Sequence, residues 1–202
     1  MTPGIAHIVD DDDAIRDALA WLLRSRGVDS RAWNSAESFL ADYRPDMKGC
    51  LVLDIRMSGM SGLELFDRLL AQGCTMPAIF LTGHGDVPLA VQALKKGAFD
   101  FIEKPCNDND LATRVIAALQ LDCRQRSQAA STASIETRLR NLTSREHEVM
   151  ERILAGQYNK VIAADLNIAM RTVEVHRARI FEKMNVRSAV ELAQLLSSGQ
   201  QP

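Results

Sequence analysis

Five polar residues close short apolar runs in this 202-residue chain: Asp10 and Asp11 after HIV, Asp54 after LVL, Thr82 after IFL and Lys104 after FIE. Carboxylates at the ends of apolar strands need a reason. Aspartate often caps the helix that follows a strand, and that reading suits Asp12 or Asp13. It does not account for Asp54, which is followed by a loop, Ile55 to Ser61, that contains Gly59 and leads into Gly62. Three clustered carboxylates repel one another unless a divalent cation neutralises them, and hard oxygen donors with several retained waters suit Mg²⁺. With Asp10 and Asp11 helping to hold that ion, Asp54 can attack a phosphoryl group in line. Lys104 can pair with one phosphoryl oxygen and Thr82 can donate its hydroxyl to another. Singly, Thr82 is ordinary at a strand end and Lys104 is ordinary before Pro105. Their combination with three acids is what is specific.

These residues converge only if the apolar runs lie side by side. Ile5 to Val9, Cys50 to Asp54, Ala78 to Thr82 and Phe99 to Glu103 read as strands, with a weaker one at Asp29 to Trp33. Between them lie segments of helical period. In the first, Ile15, Leu19, Leu22 and Leu23 share a face and Gly27 follows the end. Strands alternating with helices predict an α/β unit whose five-stranded parallel sheet is covered on both faces. In such sheets ligands bind beyond the carboxyl ends of the strands, where all five residues fall.

From Leu121 to about Arg140 the chain becomes rich in Gln, Ser, Ala, Thr and Arg, and reads as a helical extension running into a linker. Thr143 to Leu196 then carries only short helical patterns, a small all-α unit of about four helices, opened by a capping box of Thr143 and Glu146. The expected division is 1–122, a helical linker at 123–140, and 141–202. Charge divides with it: residues 1–122 hold 12 Lys+Arg against 18 Asp+Glu, and residues 123–202 hold 12 against 8. A basic surplus confined to a small unit raises the case for nucleic acid. Asn159 to Leu166 and Arg171 to Met184 have helix-turn-helix spacing. On the second helix Val173, Ile180 and Met184 form a core stripe, while Arg171, Val175, Ala178 and Glu182 fall elsewhere. Val175 could meet a thymine methyl, Glu174 a cytosine amine, and Ala178 permits close approach. Lys160, Arg171, Arg177, Arg179 and Lys183 would chiefly meet phosphates, with Thr172 beside them. The other reading is a plain solvated face with Val175 packed on a neighbour; spacing alone leaves the two level.

The blocks HIVDDDDAIR, LVLDIRMSGMSGLEL, LTGHGD and FIEKP resemble the receiver domain of two-component response regulators, over about residues 4–120. The segment from Leu142 to Leu192 resembles the LuxR-type helix-turn-helix, over about residues 139–196. Together they resemble the NarL/FixJ group, with TGHGD and RTVEVHRARI pointing to its FixJ branch. The resemblance implies a flavodoxin-like, doubly wound receiver. It makes Asp54 the phosphoacceptor, and Asp10, Asp11, Asp54 and the backbone carbonyl of Arg56 the Mg²⁺ ligands. Thr82 and Lys104 sense the phosphoryl group, Phe101 takes the place of the aromatic switch, and the Lys104–Pro105 bond is cis. It implies a sensor histidine kinase as phosphodonor, a homodimer on phosphorylation, and promoter DNA and RNA polymerase as partners. The chain departs from the pattern at Ser58, where the family often has proline; that change is expected to loosen the loop after Asp54 without removing a ligand. Glu174 replaces a common lysine, and Ala169 lacks a capping hydroxyl.

Composition narrows the alternatives. Hydrophobic residues at 47% and charged residues at 25% suit a globular chain with a real core. No apolar run approaches the roughly 18 residues of a membrane helix, and the acidic start does not suit a signal peptide, so a cytoplasmic protein is expected. Cys50, Cys74, Cys106 and Cys123 fit no metal-ligand spacing and read as reduced thiols. A phosphatase working through an aspartyl phosphate in the haloacid dehalogenase manner wants a second Asp two positions after the nucleophile, where this chain has Arg56. The expected protein is therefore no enzyme beyond assisting its own phosphorylation and dephosphorylation. A regulator with a protein-binding output, and a DNA-binding protein independent of phosphorylation, are the remaining readings.

Overall fold

The structure, a computed structural model, describes residues 4–83 and 87–198, so His84, Gly85 and Asp86 of the TGHGD motif lie outside the described residues. The chain divides into two compact units, Met1–Arg126 and Ser127–Pro202. In the first, strands β1 (Ile5–Val9), β2 (Asp29–Trp33), β3 (Gly49–Asp54), β4 (Ala78–Thr82) and β5 (Asp100–Glu103) alternate with helices α1 (Asp13–Ser25), α2 (Ala36–Asp42), α3 (Gly62–Ala71) and α4 (Val87–Lys95). The helix α5 (Asp108–Arg140) follows. All strand pairs are parallel, in the order β2-β1-β3-β4-β5. The order reverses between β1 and β3, which opens a crevice at their carboxyl ends.

Side-chain alternation along the strands builds two cores. Leu51 and Leu53 of β3 and Phe80 of β4 join Phe39, Leu65, Phe66 and Leu69 on one face of the sheet. Cys50, Val52, Ile79 and Leu81 join Leu19, Leu23, Val115 and Leu119 on the other. A strand buried on both faces loses the polar-apolar alternation of a half-exposed one, which is why β3 reads as one apolar run. Asp12 caps α1, accepting from the backbone N–H of Ala14 and Ile15, while Asp13 pairs with Arg16. Glycine at 49 is dictated by contact: with φ +128°, a Cβ there would lie 1.8 Å from the Ile5 carbonyl oxygen. Its N–H donates to the buried Asp122 of α5, which also takes Arg126.

The second unit packs α6 (Ser144–Leu154), α7 (Asn159–Asp165), α8 (Met170–Met184) and α9 (Ala189–Ser198) around Val149, Ile153, Ile162, Val173, Ile180, Met184 and Leu192. Thr143 and Glu146 form the expected capping box. The segment 123–140 is helical throughout, as part of α5. No described helix is long and apolar enough to cross a membrane.

One buried group gives the first unit a pH signature. His7 lies against Trp33 and Phe39, and its Nε2–H donates to the Lys48 carbonyl at 3.0 Å, leaving Nδ1 buried without a partner. Burial pushes the imidazole below its ordinary value of 6.5; the Lys48 carbonyl opposes this, Arg31 adds to it, and Asp122 opposes it. The unfolded chain then binds more protons than the folded one as pH falls below 6.5. Stability is therefore complete above 6.5 and declines below it, by at most about 1.4 kcal/mol per pH unit. Urea unfolding of the full chain across this range should show the decline in the first unit, and His7→Leu should flatten it.

Candidate functional site

The ends of β1, β3 and β5 carry Asp10, Asp11, Asp54 and Lys104 into one pocket. Asp10, only 1% exposed, follows β1, and Asp54, 8% exposed, ends the neighbouring β3. Lys104, just after β5, places its Nζ 2.8 Å from Asp10 Oδ2 and 3.0 Å from Asp54 Oδ1. Its backbone N–H donates to the Thr82 carbonyl at 2.7 Å, so the end of β4 holds the lysine's main chain. The Lys104–Pro105 bond is cis, as the resemblance implied. Beneath Asp54, the N-terminus of α3 approaches so closely that a Cβ on Gly62 would lie 2.0 Å from the Asp54 carbonyl oxygen. Only glycine lets helix and strand end meet there.

Asp11 is exposed, and one oxygen from each of Asp10, Asp11 and Asp54 falls within 4.8 Å of the others. Lys104 touches two of these three acids. Asp11 is instead held by Ser58, whose N–H and Oγ donate to its Oδ2 at 2.8 and 2.9 Å. Serine at this position therefore ties the loop down, against the expectation that it loosens it. Three crowded hard-oxygen donors make an acidic pocket compatible with Mg²⁺. The charges respond accordingly. Burial pushes the Asp54 carboxyl above the usual carboxylate range; the hydrogen bond and charge of Lys104 oppose this, while Asp10 and Asp11 add to it. Burial disfavours the Lys104 ammonium, but its bonds to Asp10 and Asp54 outweigh that and raise its pKa. The Ser58 backbone and hydroxyl hold the Asp11 carboxyl low.

Of the remaining expected residues, Thr82 is buried and its Oγ1 donates to the Ile102 carbonyl at 3.4 Å. Phe101 is half-buried against the core that contains Phe80. Arg56 is exposed in the loop between β3 and α3.

In the second unit, α7 and α8 are joined by a turn in which Asn167 takes the left-handed conformation, φ 50°. Val173, Ile180 and Met184 are fully buried, while Lys160, Arg171, Thr172, Glu174, Ala178 and Arg179 are exposed. Val175 is 43% exposed. Arg177 is half-buried over the Phe181 ring at 5.4 Å. Lys183 is set apart from these residues. Its Nζ lies 2.6 Å from Glu146 Oε2 and 3.1 Å from the Asn141 carbonyl, so its charge is spent inside the unit.

Two family descriptions divide the chain between them: response regulator receiver domain over residues 6–116, and bacterial regulatory proteins of the luxR family over residues 140–196. The chain belongs to the NarL/FixJ response regulators. It is 48% identical to the C4-dicarboxylate transport transcriptional regulatory protein DctR of Rhodobacter capsulatus, covering 94% of this chain and 97% of that one. It is 46% identical to the transcriptional regulatory protein FixJ of Azorhizobium caulinodans, covering 94% and 90%. Among solved structures, the response regulator StyR matches with a TM-score of 0.89 at 40% identity, covering 96% of this chain and 98% of that one. Full-length FixJ from B. japonicum matches with a TM-score of 0.63 at 40% identity, covering 98% of both. This response regulator thus joins a receiver to a LuxR-type DNA-binding unit and is a transcriptional regulator of a two-component system.

Sequence patterns found Glu146 only as the cap of α6. Its second partner, Lys183, lies 37 positions away and left no local signal. Burial alone would raise the Glu146 carboxyl, but Lys183 and the Thr143 N–H and hydroxyl outweigh it and bring it down to about 2. A carboxylate held low stabilises the folded unit above 4.5, and that stabilisation is lost as pH falls toward about 2. Glu146→Gln should destabilise the DNA-binding unit of this response regulator by about 1–3 kcal/mol at neutral pH, leaving the half-buried Lys183 ammonium without its charge partner. Acid unfolding followed by circular dichroism should show a shallower loss of stability in the variant over that range.

Proposed function

We propose that a sensor histidine kinase phosphorylates Asp54 and that the phosphorylated protein dimerises and binds promoter DNA. The observation that carries this reading is the Lys104 ammonium shared between Asp10 and Asp54 at the crevice between β1 and β3. Asp54 attacks phosphorus, the bond to the kinase imidazole breaks, and an acyl phosphate forms. The side chains of Asp10, Asp11 and Asp54 and the Arg56 carbonyl would hold Mg²⁺, which when bound would supply charge compensation for the transferring phosphoryl group. Lys104 is within reach of Asp54 and can follow the new phosphoryl group as its counter-charge. The Thr82 hydroxyl is poorly engaged, since 3.4 Å is long for an O–H···O bond, so it can turn to a phosphoryl oxygen at little cost. Thr82 moving inward vacates space beside β5, and Phe101 turning in would pass the change to the surface of α4 and β5. Beyond assisting its own phosphorylation and dephosphorylation, the receiver is no enzyme.

The proposed division is a receiver at 1–122, a helical linker at 123–140 and a DNA-binding domain at 141–202. On α8, Glu174, Val175 and Ala178 face base edges, and Arg171, Thr172, Arg177 and Arg179 meet phosphates or neighbouring bases, with Lys160 of α7 on the backbone. Exposure of Val175 among charged residues supports this face. Lys183 is left out of it because Glu146 already holds its charge. The protein works in the cytoplasm and contacts RNA polymerase at its promoters.

Light scattering with and without beryllofluoride and Mg²⁺ should show monomer converting to dimer, and an unchanged monomer would sink the dimerisation step. In gel-shift titrations, binding should weaken as salt rises, and Arg171→Ala should reduce the salt slope by about 1. Lys183→Ala should leave that slope as it is.

A further inference from the structure

The loop that follows Asp54 is pinned at three successive points. Ser58 donates twice to Asp11, from across 47 positions of sequence. The Met60 N–H donates to Glu37 Oε1 of α2 at 2.9 Å, and Ser61 with Glu64 forms the capping box of α3. The loop contains Gly59 at φ +80°, so its backbone has little intrinsic stiffness of its own. Asp11 is also the one exposed acid of the three. A solvent-facing carboxylate would otherwise sample several rotamers, and an ion binding it would have to select one.

Resting on the cation site proposed above, we propose that Ser58 is a positioning residue for that site: its N–H and hydroxyl fix the Asp11 carboxylate through one oxygen and leave the other free for the ion. Outer hydrogen bonds of this kind orient a ligating carboxylate and raise metal affinity. The same two bonds anchor the loop that carries Arg56, whose backbone carbonyl is a proposed ligand. A proline at position 58 has no N–H and no hydroxyl, so it could make neither bond. The serine is then a local device, with the loop held by side-chain contact to a ligand rather than by a rigid ring.

The test is isothermal titration of the full-length protein with MgCl₂, for the wild type and for Ser58→Ala, Ser58→Pro and Ser58→Thr. Ser58→Ala should bind about tenfold more weakly, the lower end of what losing an outer-shell partner costs. Ser58→Pro should be at least as weak, and Ser58→Thr, which keeps both donors, should bind like the wild type. Unfolding temperatures in EDTA should be the same for all four. Unchanged affinity in Ser58→Ala overturns the proposal, as does failure of threonine to rescue, or a variant equally destabilised in EDTA, which would make the role structural. A wild type that takes up no Mg²⁺, or an Asp11→Asn variant that binds it undiminished, refutes the cation site itself and this proposal with it.

Discussion

The Lys104 ammonium stands between two carboxylates that the sheet buries side by side, Asp10 beyond β1 and Asp54 at the end of β3. Both acids close buried strands that are apolar apart from His7, so neither has much water to compensate its charge. Burying charge in this way is costly, and an ion pair seldom returns more stability than well-packed apolar residues would. The arrangement therefore makes sense as chemistry. It keeps the proposed phosphoacceptor Asp54 largely desolvated, with the Lys104 ammonium beside it, at the place where the strand order reverses. The apolar strands, the glycine at 62 and the bond from Lys104 N–H to the Thr82 carbonyl all serve to hold that geometry.

The DNA-binding unit follows the same logic with the opposite outcome. Glu146, buried, pairs with the half-buried Lys183, and each has a further partner, Thr143 and the Asn141 carbonyl. Arg138, near the end of α5, donates to the Met184 carbonyl at the end of α8. The α8 helix is thus fastened at its carboxyl end by contacts within the unit. Its amino-terminal half, from Arg171 to Arg179, carries the exposed polar and charged residues, with Val175 among them. A helix held at one end and exposed at the other suits insertion into a groove.

Much of this was legible in the sequence because it rests on period and position. Four apolar runs mark the strand ends, and the strand-end rule gathers Asp10, Asp11, Asp54, Thr82 and Lys104 from the sequence alone. Boundaries moved only slightly: β3 begins at Gly49 because a glycine can extend the ladder against Ile5, and α8 begins at Met170. Long-range polar contacts were not legible. Nothing near Ser58 announces Asp11, nothing near Lys183 announces Glu146, and the buried His7 looks in sequence like one polar residue in a strand. Each depends on which elements the fold brings together. Ser58 is the sharpest case, since comparison with a familiar pattern suggested a looser loop and the geometry shows a tethered one.

The central claim is that Asp54 is where phosphate is received. Peptide mapping by mass spectrometry, after incubation of the full-length protein with acetyl phosphate and Mg²⁺, addresses it most directly. The account predicts a single acyl phosphate on the peptide containing Asp54, absent from Asp54→Asn. Phosphate on another residue, or labelling that persists in the variant, would contradict it.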